Sequence, residues 1–149
     1  MQRRHFFLTA AAFLAAGPAG AVGSSTLKVA KSPTCGCCTA WVERMQQAGF
    51  AVEVEDVDQG TLSAMKDRFG ITPELAGCHT ATINGYFVEG HVPAGEIHRL
   101  LTEAPNARGL AVPGMPMGSP GMDMGSARDA YDVLLVLEDR STQVFASHS

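Results

Sequence analysis

Residues 27–48 read LKVAKSPTCGCCTAWVERMQQA, and this stretch decides the fold. Leu27-Lys28-Val29-Ala30 alternates apolar and polar side chains, the pattern of a short strand. Ser32-Pro33-Thr34 breaks that run. From Cys37 to Ala48 the apolar residues Cys38, Trp41, Val42, Met45 and Ala48 recur at spacings of three and four. That period predicts a helix with one buried face, and Gly49 is its stop signal. Cys35, Cys37 and Cys38, three of the chain's four cysteines, fall at the junction of strand and helix.

Outward from this unit the pattern continues. Residues 50–57, FAVEVEDV, predict a second strand. Thr61 is the expected cap of a second helix, with Leu62, Met65 and Phe69 on one face and Gly70 after it. Residues 71–77 form a loop around Pro73. Residues 79–83 and 86–89 flank Asn84-Gly85, a strong hairpin signal. Pro93 opens a third helix with Ile97, Leu100, Leu101 and Ala104 facing inward. Residues 105–125 are rich in Gly, Pro and Met and show no period. Residues 131–137 are an apolar strand, and residues 142–146 return as the last strand of a hairpin. The expected class is α/β, a mixed sheet flanked by helices with a Met/Gly/Pro-rich loop and a C-terminal hairpin added. In the thioredoxin-like fold, the redox motif occupies the place these cysteines take here.

The first residues read as an address. Arg3-Arg4 precedes the apolar run 6–16, and Pro18 with Ala19-Gly20-Ala21 supplies a small-residue cleavage site. Residues 1–21 are therefore an expected export signal, compatible with the twin-arginine route, and residues 22–149 one mature domain. The apolar run is about half the roughly 20 residues a membrane span needs, so no anchor is expected in the mature form. Without Arg3 and Arg4 the chain keeps 9 basic against 15 acidic side chains, a formal charge of −6. With no basic cluster to neutralise phosphates, nucleic acid is excluded as a partner, while cations are electrostatically welcome.

All four cysteines, Cys35, Cys37, Cys38 and Cys78, survive cleavage. In an oxidising compartment the plain alternative is a pair of structural disulfides. A structural framework spreads its cysteines to close loops, however, and here there is a cluster with one distant partner. Cys35 and Cys38 have C-x-x-C spacing at a helix N-terminus, which stabilises thiolate. Thiolate serves both disulfide exchange and metal binding. Cys37 tips the balance, since a third thiol invites scrambling in a redox pair but strengthens a thiophilic site. Cys35 is expected at the exposed tip and Cys38 on the buried face.

Cys78-His79 lies just before the third strand, in the loop that faces the C-x-x-C motif in a thioredoxin-like fold. A thiolate and an imidazole there complete a metal-ligand set. A buried Cys beside a hydrogen-bonded His is the plain alternative. His91, at the end of the hairpin, is a ligand or a supporting group, or else a turn histidine bonded to backbone. His98 falls off the apolar stripe and His148 sits in the tail, so both are set aside. Residues 114–124, GMPMGSPGMDM, carry four thioethers, donors that suit Cu(I) and cannot form disulfides. Methionines that merely fill gaps at the core surface are the alternative there.

The segments PTCGCCTAWVE, GCHTATINGYFVEGHVPAGEIHRLL, GLAVPGMPMGSPGM and YDVLLV together resemble the CopG-like family of small exported bacterial proteins, long catalogued as a domain of unknown function and associated with resistance to copper and other metals. The resemblance spans residues 27–146. It implies a thioredoxin-like fold and copper held by Cys35, Cys37, Cys38 and Cys78, with His79 beside the last. It also places His91, Met115 and Met122 in family-typical segments, with Met117 and Met124 as extra thioethers. The resulting expectation is a periplasmic copper-binding protein of copper tolerance. It would hold one or more Cu(I) ions for storage, for transfer to an efflux or carrier protein, or for Cu(I)/Cu(II) cycling, which would make it an oxidoreductase. The rivals are a thiol–disulfide oxidoreductase using Cys35 and Cys38, and a zinc-binding module.

Overall fold

The alternation at residues 27–30 becomes an inner strand. In the computed structural model, which describes residues 25–149, β1 (Thr26–Lys31) buries Leu27 and Val29 on one face and Ala30 on the other. The expected export signal, residues 1–21, lies outside the described residues. After β1 come α1 (Gly36–Gln47), β2 (Ala51–Asp56), α2 (Gln59–Phe69), β3 (His79–Ile83), β4 (Tyr86–Glu89), α3 (Ala94–Glu103), β5 (Ala107–Ala111), β6 (Tyr131–Leu137) and β7 (Thr142–His148). The strands form one mixed sheet in the order β2-β1-β3-β4-β5-β6-β7. The β1–β2 and β4–β5 pairs are parallel, each spanned by a crossover helix, and the other pairs are antiparallel.

The core divides by face. Leu27, Val29, Ala81, Ile83 and Val88 meet Trp41, Val42 and Met45 of α1 and Ile97 and Leu100 of α3. On the opposite face Ala30 packs on Val57 and Leu62, while Phe87, Ala111 and Val136 pack on Ile71 and Phe69 around α2. The expected α/β class, the helical face 38–45 and the hairpin at Asn84-Gly85 are all present, with both turn residues at positive φ as a two-residue hairpin requires.

Three local expectations are corrected. Asp58, rather than Thr61, caps α2: its carboxylate accepts from Thr61 N–H at 2.8 Å, so the helix begins earlier. Ala104 does not face inward; it ends α3 at φ 43° and is exposed. Within residues 105–125, Ala107–Ala111 is a strand between β4 and β6. Its small residues have weak strand propensity. Packing demands them, because a Cβ at Gly109 would collide with the Phe87 carbonyl.

Candidate metal centre

Two ends of the sheet's connections converge beside the N-terminus of α1. Cys35 is the N-cap, and its Sγ accepts from Cys38 N–H at 3.3 Å, the role a Ser or Asp side chain normally fills. Helical geometry then turns Cys38 into the core, fully buried next to Trp41, and leaves Cys37 half-buried on the outer side. Cys35, expected at an exposed tip, is half-buried as well. Cys35 and Cys38 form a disulfide, while Cys37 and Cys78 are free thiols. Cys37 Sγ stands 3.5 Å from Cys35 Sγ and 3.6 Å from Cys78 Sγ. One sulfur from each of the four cysteines lies within 4.8 Å of the others.

Cys78 also belongs to a second group. One ligand atom from each of Cys78, His79 and His91 falls within the same 4.8 Å limit. His79 begins β3 and is fully buried on the α1 face, where its ring packs against Trp41 at 4.4 Å and edge-on to His91 at 5.1 Å. Its Nε2 has no hydrogen-bond partner among the described residues. His91 follows β4. Its Nε2 is 3.0 Å from Cys78 Sγ, and its Nδ1 is 2.8 Å from the Pro120 carbonyl. A carbonyl only accepts, so Nδ1 carries the proton and the lone pair of Nε2 points at the sulfur. This is the arrangement by which proteins orient metal-binding histidines.

Burial sets the protonation states. Desolvation, reinforced by the hydrogen bond and charge of Cys37, pushes the Cys78 thiol up to about 12. Burial, with His91 nearby, holds His79 well below the ordinary histidine value. His91 is lowered by burial, against the opposing pull of the Pro120 contact. A neutral thiol and two neutral imidazoles therefore face one another at pH 7. None of the three need carry charge until a cation displaces the thiol proton.

The Met-rich segment is pinned to this site through its backbone. Pro120 supplies the carbonyl that orients His91, and Gly121, at φ 86°, lies against the first turn of α1. A Cβ there would stand 2.6 Å from the Cys37 carbonyl oxygen and 2.8 Å from the Trp41 nitrogen. Met122 follows directly and is half-buried, whereas Met115 is 52% exposed. The other two histidines among the described residues lie elsewhere, His98 stacked on Phe50 and His148 on Tyr131 within reach of Glu96.

Sequence reading missed the role of Pro120 and Gly121, since a backbone carbonyl and an absent side chain leave no chemical signature. It also missed Glu89. This carboxylate is fully buried at the end of β4, and an acid two residues before His91 was the available clue.

Comparison with known proteins bears on this geometry. Residues 75–122 match the family model described as "Protein of unknown function, DUF411". Two solved structures are similar over most of the chain. One, "Copper resistance protein copG- Form 2", is 40% identical, with a TM-score of 0.78, over 84% of this chain and 98% of that one. The other, "Copper resistance protein copG- Form 1", is 41% identical, with a TM-score of 0.77, over 83% and 96%. No curated protein matches the chain.

Proposed function

This chain belongs to the CopG-like family, and on that premise we propose that it is a periplasmic copper-tolerance protein that takes up and releases Cu(I) at the Cys–His site. The observation that carries the reading is that Cys78 is shared by the four-sulfur group and by the Cys–His–His group. Soft thiolates select Cu(I), and imidazole also suits copper. His79 turns its Nδ1 toward the same sulfur, 3.9 Å from Cys78 Sγ, so a neutral imidazole nitrogen stands beside the thiol that the two groups share. Half-buried Cys35, Cys37 and Cys78 leave the sulfurs reachable from solvent, which favours exchange with an efflux or carrier protein over sealed storage.

The chain's own residues prepare the site. Pro120 fixes the His91 tautomer. The α1 N-terminus favours negative charge on Cys35 and its neighbours. The Cys35–Cys38 disulfide must gain two electrons before both sulfurs can act as thiolate ligands. We read the β1–α1–β2–α2–β3–β4–α3 order, with the cysteines at the first strand–helix junction, as a thioredoxin-like unit, and residues 1–21 as the signal that delivers it to the periplasm.

Anaerobic Cu(I) titration of the reduced protein tests the function. Saturable copper that protects all four thiols from alkylation supports it. Weak copper binding, with four freely alkylated thiols, contradicts it. The disulfide favours one second reading, thiol–disulfide exchange through Cys35 and Cys38. That reading requires Cys78→Ala to keep full exchange activity, because a two-cysteine cycle has no use for a fourth sulfur.

A further inference from the structure

Cys78 and His79 are flanked by Gly77 and Thr80, and both flanks are tied to one buried carboxylate. Glu89 accepts from Gly77 N–H at 2.7 Å and from Thr80 Oγ1 at 2.6 Å, and it is paired with the Lys66 ammonium. Lys66 Nζ also donates to the Gly77 carbonyl at 3.2 Å and to Thr80 Oγ1 at 3.0 Å. Its three protons thus have three acceptors, and the Thr80 hydroxyl both donates and accepts.

The register explains what this network is for. Thr80 lies opposite Glu89 in the β3–β4 ladder. Strand alternation puts that pair on the α2 face, with Lys66, and puts His79 on the α1 face with Trp41. The network and the candidate ligands are therefore on opposite sides of one short piece of backbone. A second device closes the same piece: Gly77 packs against Gly90 so tightly that a Cβ on Gly77 would be 2.5 Å from the Gly90 Cα. Stability alone does not account for the ions. A buried pair of charges costs much of what it returns, and an apolar pair of similar volume is often as stable.

We infer that Lys66, Glu89 and Thr80 are positioning residues, a polar clamp that holds Cys78 and His79 at the spacing copper binding needs. The inference rests on the copper reading above. None of the three touches the cargo. They act through the backbone on either side of Cys78-His79, much as outer partners orient metal ligands elsewhere.

The test compares the full chain with Lys66→Met/Glu89→Leu, Thr80→Val and Thr80→Ser. Cu(I) affinity is read by chelator competition, the copper-free fold by thermal unfolding, and loop position by the rate of Cys78 alkylation relative to Cys37. The expected result for Lys66→Met/Glu89→Leu is copper affinity lower by about 10–100-fold, with a lower melting temperature as well, since the Gly77 N–H and the Thr80 hydroxyl lose their acceptor. Thr80→Val should weaken copper binding and Thr80→Ser restore it, so the Thr80 pair decides the matter even if the double variant does not fold. Wild-type affinity in Thr80→Val would overturn the clamp, whatever the double variant does. If the wild-type chain itself binds no copper, the functional reading fails, and the clamp is judged on the copper-free protein. Faster Cys78 alkylation in the variants then supports it, and an unchanged rate overturns it.

Discussion

Cys35, Cys37 and Cys38 stand within four residues of one another on a single helix end, whereas Cys78, His79 and His91 reach the same spot from two strand ends held by three separate segments. The first limb is local. Its geometry follows from one cap and one turn of helix, and it closes a disulfide on its own. The second limb is assembled by the whole sheet: Pro120 from the Met-rich segment, Lys66 from α2 and Glu89 from β4 all hold it. Its groups are also uncharged and desolvated, with Cys78 up to about 12 and both histidines lowered. A local limb is suited to redox chemistry and exchange. A limb built from distant parts is suited to selecting what enters, because the fold must be intact for its ligands to meet.

The sharpest way to break this contrast is at the residue common to both groups. Cys78→Ala should lower Cu(I) affinity by more than about 100-fold, beyond what loss of a supporting partner costs. His91→Ala, which removes one imidazole and leaves all four sulfurs, should cost less than Cys78→Ala. Chelator competition measures both, and equal effects would mean that Cys78 is no more central than the histidine.

A backbone test comes next. Gly121→Ala adds a Cβ against the Cys37 carbonyl and the Trp41 nitrogen at a positive φ. The expected loss is about 1–3 kcal/mol by denaturant unfolding. Wild-type stability would mean that the Met-rich segment is free to move off the first limb.

Protons separate the limbs further. With Cys78 raised, copper must displace its proton at any pH below about 12. That thiol alone should make apparent Cu(I) affinity rise about tenfold per pH unit near neutrality. Cys78→Ala should lose that increment, which a titration at several pH values would show. The copper-free fold should respond in the matching sense. Since His79 and His91 are lowered in the folded state, the unfolded chain binds protons that the folded one refuses. Stability should be full above the ordinary histidine value of about 6.5 and fall as pH drops through it. Cys78, raised from 9.0, contributes stability below that value that is lost as pH rises toward about 12. Thermal unfolding across pH 5–8 checks the histidine part, and an unchanged melting temperature there would contradict it.

The smallest effect belongs to a histidine outside both limbs. His148→Gln, remote from the cysteines and only half-buried, should change stability by no more than about 0.5 kcal/mol and leave copper affinity alone.

The same division governs what the sequence disclosed. The first limb could be read directly, because a strand, a Pro-containing turn and a 3.6-residue period are all local signals. Cys78, His79 and His91 were legible as residue types next to a hairpin marked by Asn84-Gly85. Their convergence depends on β1 pairing with β3, a contact between residues about fifty positions apart. Strand β5 was hidden because Ala107, Gly109 and Ala111 lack strand propensity and take their conformation from their neighbours. The Lys66–Glu89–Thr80 network was hidden for a different reason. Three ordinary polar residues on three elements give no sign of burial until the pleat puts them on one face.

Copper K-edge X-ray absorption on the Cu(I)-loaded chain tests the central claim most directly, since it reads the atoms around the metal. The account predicts sulfur scattering together with an imidazole contribution that weakens in His91→Ala, as required if both limbs meet at the metal. A sulfur-only spectrum, unchanged by His91→Ala, would confine copper to the cysteines and contradict it.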